Sequence, residues 1–245
     1  MAHSGMGVNE SSGPHYRRLS IWRFFKEYVR IQHRGINLQQ RTVLDMSKHF
    51  WIYDDFFGDV LRDLWNVVTT GSGTATVVTA VNGIVQLDDT VAEDDAGIDT
   101  GAFLNFDPTL NCAIGFRLKT NTKTNFNLKA GFYKDADEYA WFKVDDADDN
   151  IDCAASLNGG AGAVDQDSGI DIADGVYHDF RIECFDDGSV KFYIDDVNVY
   201  TAPADTLSTT AGVLHKPYIL VTDKAAATTQ HLVDIDYIFC YQDRT

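Results

Sequence analysis

Short runs of alternating apolar and polar residues recur after residue 50, whereas the first fifty residues follow a different period. The clearest run lies in 175–196. His178, Phe180, Ile182 and Cys184 fall on one face of a strand and Asp179, Arg181 and Glu183 on the other, the period-two pattern of a sheet with one buried side. Val190, Phe192 and Ile194 continue that buried face after the turn Asp186-Asp187-Gly188-Ser189, where Gly188 supplies the positive φ of a tight hairpin. A second turn is expected at Asp195-Asp196, leading into Val197, Val199 and Tyr200. Comparable runs cover 74–81, 84–87, 102–106, 113–119, 126–133, 138–144, 151–157, 218–222 and 232–241. About a dozen strands at this spacing predict an all-β, two-sheet antiparallel sandwich. The stretch 154–169, with its Gly-Gly-Ala-Gly, reads as a loop leaving the strand at 151–157.

The first fifty residues carry a helical period instead. Leu19, Ile21, Trp22, Phe25, Tyr28, Val29 and Gln32 sit near helical spacing, with Ser20 as N-cap and Gly35 as the stop. Arg17, Arg18, Arg23, Lys26, Arg30 and Arg34 flank this face, which predicts a basic amphipathic helix of about four turns. Residues 1–16 read as a polar tail and 36–48 as a tether, so the chain is expected to divide into a basic arm, 1–48, and a sandwich domain, 49–245. The aromatic cluster over 50–57 opens the sandwich and exceeds what one strand face can bury.

Charge sharpens this division. Residues 1–50 hold eight Lys or Arg against three acids, a net of +5, and the other 195 hold twelve against thirty-four, a net of -22. An acidic body of that size repels nucleic acid, whose phosphates need clustered cations. No run of eighteen apolar residues is present and the N-terminus has no apolar signal core, so neither a membrane span nor secretion is expected.

The motifs Tyr177-His178, Asp187-Gly188 and Phe192-Tyr193-Ile194-Asp195, with the closing run Val233 to Phe239, identify a likeness. The chain resembles the concanavalin A-like lectin and glucanase superfamily, particularly its laminin-G-like members, over about 51–245. The resemblance implies a jelly-roll sandwich, to which the N-terminal helical arm is an addition.

Glucanases of that superfamily carry an E-x-D-x-E-like pair of glutamates on one strand as nucleophile and general acid. The body holds three glutamates, Glu93, Glu138 and Glu183, in no such arrangement, and Asp234 and Asp236 read as a solvated polar face. No nucleophile elbow, P-loop or dinucleotide fingerprint occurs, and His178, His215 and His231 lie far apart in sequence. The expectation is therefore that the chain is no enzyme and takes no cofactor. The acidic segment 145–152 matches no calcium loop and is read as a charged turn, with no metal assigned. Cys112, Cys153, Cys184 and Cys240 form no C-x-x-C pair and read as buried thiols; two disulfides would leave three pairings open. Among the aromatics, Tyr139, Trp141, Tyr193 and Tyr200 suit sugar stacking. Tyr139 and Trp141 share a face, for which a place in the core is the preferred reading.

A basic aromatic arm on an acidic β-body suits an arm that docks onto an acidic neighbour. Decoration or cement subunits of tailed phages, which the fold and arm resemble, imply a virion structural protein. Such a protein assembles in the host cytoplasm on capsid shell subunits and as a homotrimer. Its contacts are expected at Arg17, Arg18, Trp22, Arg23, Phe24, Phe25, Lys26, Tyr28, Arg30 and Arg34. The alternative expectation is a carbohydrate-binding module of a phage tail or cell surface, with a glycan as ligand.

Overall fold

The computed structural model describes residues 49–78, 83–89, 94–102, 105–124, 126–145, 149–157, 163–223 and 230–244. The chain divides into two units, Met1–Val43 and Leu44–Thr245, and every described residue belongs to the second. The expected helix of the arm lies outside the described residues. Among these, fifteen strands and one 3-10 turn, Pro108–Leu110, make up the regular structure.

Sheet I holds β1 (His49–Asp54), β3 (Thr74–Val78), β4 (Ile84–Asp88), β6 (Ala113–Thr120), β11 (His178–Cys184), β12 (Val190–Ile194), β13 (Val197–Ala202) and β15 (Leu232–Asp243). Sheet II holds β2 (Asn66–Thr69), β5 (Asp95–Asp99), β7 (Phe126–Tyr133), β8 (Tyr139–Val144), β9 (Asn150–Ser156), β10 (Val164–Asp171) and β14 (Lys216–Asp223). The orders are β13-β12-β11-β6-β15-β4-β3, with β1 also beside β15, and β10-β9-β8-β7-β14-β5-β2. All of these pairings are antiparallel. The twelve residues of β15 let one edge serve two partners: Leu232–Ile235 pair with β4 and Ile238–Asp243 with β1. On its other edge, against β6, β15 carries a bulge between Ile235 and Tyr237, at the point in the strand between these two stretches.

The hairpin read from 175–196 is present, with Phe180 opposite Ile194, Ile182 opposite Phe192 and Cys184 opposite Val190. Gly188 takes φ 75°, and Asp195 and Asp196 take φ 50° and 68° in the next turn, as a two-residue hairpin of this hand requires. Three expectations need correction. Residues 102–106 contribute no described strand, only a single bridge from Phe106 to His215. The supposed loop 154–169 contains the end of β9 and most of β10; β10 is an edge strand with polar residues on both faces, so it carries no alternating signal. The acid-rich β5 and short β2 also escape an apolar pattern. In β5, Asp95 accepts from the Thr222 hydroxyl at 2.6 Å and Asp99 from Asn66 Nδ2 at 3.1 Å. Asp234 and Asp236, expected as a solvated face, are ion-paired with Lys119 at 3.3 Å and Arg117 at 3.1 Å.

The two sheets bury one shared apolar layer between them. Its centre is Phe142 of β8, whose ring meets Phe116 at 6.4 Å, Phe180 at 5.0 Å and Phe192 at 5.3 Å, all edge-on. Those partners come from three neighbouring strands of sheet I, so a single side chain of sheet II is held by β6, β11 and β12. At one end of the sandwich the aromatic cluster of β1 resolves by alternation. Phe50 and Ile52 pack on the core and Phe56 is buried, while Phe57 stands 72% exposed. Replacing Phe142 by Ala is expected to lower the unfolding free energy by about 3–5 kcal/mol, read by urea denaturation. A loss under about 1 kcal/mol would show that this ring is not the centre of the packing.

Candidate functional site

Because Ala140, Phe142 and Val144 enter the core, the alternate residues of β8, Tyr139, Trp141 and Lys143, stand on the outer face of sheet II. This corrects the core placement preferred for Tyr139 and Trp141. Register brings further residues beside them. Lys129, Gly131 and Tyr133 of β7 lie opposite Lys143, Trp141 and Tyr139, and Asp152 of β9 lies opposite Lys143 on the other side. On β14, Lys216 faces Tyr133 and Tyr218 faces Gly131; Tyr218 in turn faces Asp99 of β5, and Asp99 faces Asn66 of β2.

Four rings meet at the centre of this face. Tyr139 and Trp141 stack with centroids 3.9 Å apart and planes 5° from parallel; Trp141 and Tyr133 follow at 5.7 Å, and Tyr133 and Tyr218 at 4.8 Å. Gly131 lies between Trp141 and Tyr218 in the row. A Cβ there would come within 2.3 Å of the Ala140 carbonyl and 2.7 Å of Ile182 Cδ1, so the position admits no side chain. Lysines flank the stack: Lys129 Nζ is 5.1 Å from the Trp141 centroid, and Lys216 Nζ 5.7 Å and 5.9 Å from Tyr133 and Tyr218. This covering leaves Trp141 only 6% exposed although it faces outward.

A charged cluster lies on each side of the rings. On one, Lys216 donates to Asp99, which also accepts from Asn66 and, at 2.7 Å, from the Gly101 N–H. On the other, Lys143 reaches Asp165 at 2.7 Å, Asp152 at 3.6 Å and Asp145 at 3.7 Å. Burial works against the Lys143 charge, but Asp165, Asp152 and Asp145 outweigh it and hold its pKa above the ordinary value. Burial, and then Asp165, push the Tyr139 hydroxyl up; burial, Tyr133, Asp95 and Asp99 do the same for Tyr218. Both phenols therefore stay protonated at neutral pH and can donate as well as accept. The face offers rings at its centre and paired hydrogen-bonding groups at both ends.

Just behind Tyr139 the buried Glu138 carboxylate, in the turn between β7 and β8, accepts from Lys134 Nζ at 2.9 Å and from the Ser208 N–H at 3.2 Å, with His215 Nε2 3.5 Å away. Glu138, read earlier only as an unpaired glutamate, thus anchors the turn from which the ring-bearing strand starts. The acidic segment contributes Asp145 and Asp152 to the Lys143 cluster, and no group of metal-ligating side chains occurs among the described residues. Of the other aromatics, Tyr193 lies under Arg181 at 3.7 Å on sheet I, and Tyr200 packs toward the core. His178 is a strand residue bonded through Nδ1 to Asp195 at 2.8 Å. The arm residues expected to bind partners, from Arg17 to Arg34, lie outside the described residues. Tyr133, Tyr218, Lys216 and Asp99 were not singled out in the sequence, because only strand pairing brings them to the face of Trp141; Lys143 shares that face by alternation along β8, but its ion-pair partners Asp152 and Asp165 come from β9 and β10.

No family model and no curated protein matches the chain. Solved structures do. The endo-β-1,3-glucanase of Pyrococcus furiosus superposes with a TM-score of 0.61 at 12% identity, covering 79% of this chain and 94% of its own. The catalytic domain of an endo-1,3-β-glucanase (laminarinase) from Thermotoga petrophila gives 0.58 at 15% identity, covering 80% and 100%. The carbohydrate recognition domain of Emp47p gives 0.56 at 14%, covering 81% and 98%. The protein therefore has the concanavalin A-like jelly-roll sandwich fold, in two antiparallel sheets. Identity at this level establishes the fold alone. These neighbours also overturn the expectation that the chain is no enzyme, which rested on a missing glutamate motif: domains of this same architecture are endo-1,3-glucanases.

Burial holds the His215 pKa below its ordinary value, against the opposing pull of Glu138. A histidine that resists protonation when folded takes up its proton more readily when unfolded, so stability falls as pH drops below about 6.5. We expect the melting temperature to decline from pH 7 to pH 5, and the decline to shrink in His215→Gln. An equal decline in the variant would assign the acid sensitivity to other groups.

Proposed function

We propose that the outer face of sheet II binds a glycan. The carrying observation is the stack of Tyr139, Trp141, Tyr133 and Tyr218 between two Lys–Asp clusters. Sugar rings have apolar C–H faces and a polar hydroxyl rim, and they are matched by aromatic groups beside fixed donors and acceptors. Ion-paired Lys and Asp suit the rim because each partner orients the other before ligand arrives. The glucanase and carbohydrate-recognition neighbours support a carbohydrate ligand and guide the choice of probe. Titration calorimetry with laminarin and a panel of other soluble polysaccharides should show binding to at least one, and the same incubations should be read for released reducing ends. Trp141→Ala and Tyr218→Ala, checked for folding by circular dichroism, should each weaken binding at least about tenfold. Wild-type protein that binds no glycan, or variants that bind as tightly as wild type, would remove this reading.

The charge asymmetry of the chain favours a second, separate role for residues 1–48: docking the acidic body to an acidic neighbour. As a capsid decoration subunit of a virion, the protein would use Arg17, Trp22, Arg23 and the aromatics around them to hold a shell subunit or another copy of itself in a trimer. Light scattering on the full chain and on a chain lacking 1–48 tests this. The full chain should be trimeric and the truncated one monomeric, and a monomer in both cases excludes the arm-built trimer.

A further inference from the structure

Three of the four cysteines meet at one end of sheet I. Cys112 directly precedes β6, Cys184 ends β11 and Cys240 lies in β15. Ile182 is opposite Ile114 and Glu183 opposite Ala113, so the same register sets Cys184 opposite Cys112. The Cys184 N–H donates to the Cys112 carbonyl at 2.8 Å. Both side chains turn into the core beside those isoleucines and are 1% and 2% exposed. Directly opposite residues of a hydrogen-bonded antiparallel pair have Cα atoms about 5.5 Å apart, inside the span that a disulfide bridges. Cys240 is opposite Ile114 and so stands diagonal to Cys112, while Cys153 belongs to β9 in the other sheet. Burial, then the hydrogen bond and proximity of Cys184 and the proximity of Cys240, push the Cys112 thiol up, so the closed fold holds no reactive thiolate there.

We propose that Cys112 and Cys184, free thiols in this structure, are a redox modification site that closes to a cross-strand disulfide between β6 and β11. The oxidant class is a low-molecular-weight disulfide such as oxidised glutathione. When the sheet end opens, one cysteine loses its proton and attacks that disulfide, releasing one glutathione thiolate. The second cysteine then displaces the other glutathione, so two protein thiols are oxidised and one small disulfide is reduced to two thiols. The bond closes a loop of about 70 residues, long enough to restrict the unfolded chain strongly. Because access depends on opening, low denaturant accelerates the reaction.

The full chain is incubated with oxidised glutathione, with and without low urea, then blocked with N-ethylmaleimide and mapped without reduction. Two of the four thiols should disappear, one peptide pair should join Cys112 to Cys184, and the melting temperature should rise by about 10 °C until dithiothreitol reverses it. Cys112→Ser and Cys184→Ser should each abolish the link, and Cys153→Ser should keep it. A stable glutathione adduct, a link between Cys112 and Cys240, or four intact thiols under conditions where hydrogen exchange shows β6 opening would each overturn the proposal.

Discussion

The seating of Phe142 among Phe116, Phe180 and Phe192 is the constraint on which the rest of the molecule depends. Interiors pack at crystal-like density, so a ring held on three sides by another sheet cannot shift along its strand without opening a cavity. Fixing Phe142 fixes the register of β8. Since side chains alternate across a strand, the same contact decides that Trp141 and Lys143 point away from the core. The candidate binding face is thus specified from behind: its rings are aligned by packing they do not take part in.

The two outer faces show how an acidic body uses few cations. On sheet I, Arg117 and Lys119 both lie over Tyr177 and pair with Asp236 and Asp234, while Arg181 lies over Tyr193 and pairs with Glu183. Each ring there is a separate platform, Tyr177 for two cations and Tyr193 for one. On sheet II the rings are contiguous and the main ion pairs lie to either side of them. Contiguous aromatic area with fixed polar groups at its ends suits a ligand with an apolar face, whereas isolated cation–ring pairs already satisfy one another. This contrast, rather than the number of aromatic residues, distinguishes sheet II.

Buried polar groups also hold the strand ends. Asp54, fully buried, accepts from the Phe56 N–H at 2.9 Å and from Trp65 Nε1 at 2.8 Å, joining the end of β1 to the loop before β2. Asp89 accepts from the His231 N–H at 3.1 Å, and His231 Nε2 meets the Thr124 carbonyl at 2.8 Å, which brings the exits of β4 and β6 to the start of β15. Such contacts replace water for groups that alternation leaves at the ends of buried strands.

The hairpin at 178–194, the all-β class and the two-sheet architecture were legible in the chain itself, because a half-buried strand writes its burial as a period of two and its turns as Asp and Gly. Tyr139 and Trp141 were recognisable as neighbours on one face for the same reason. Which face was not legible: alternation separates two sides and is symmetric between them, and only the packing of Phe142 against sheet I breaks that symmetry. The edge strand β10 and the acid-bearing β5 were hidden because their polar residues are satisfied by partners distant in sequence, Lys143 for Asp165 and Thr222 for Asp95. The site as a whole had no linear signature, since Tyr133, Trp141 and Tyr218 become neighbours only when β7 pairs with both β8 and β14. Local chemistry along the chain sets which strands form; which residues share a face across strands is decided by long-range pairing and by the core that holds it.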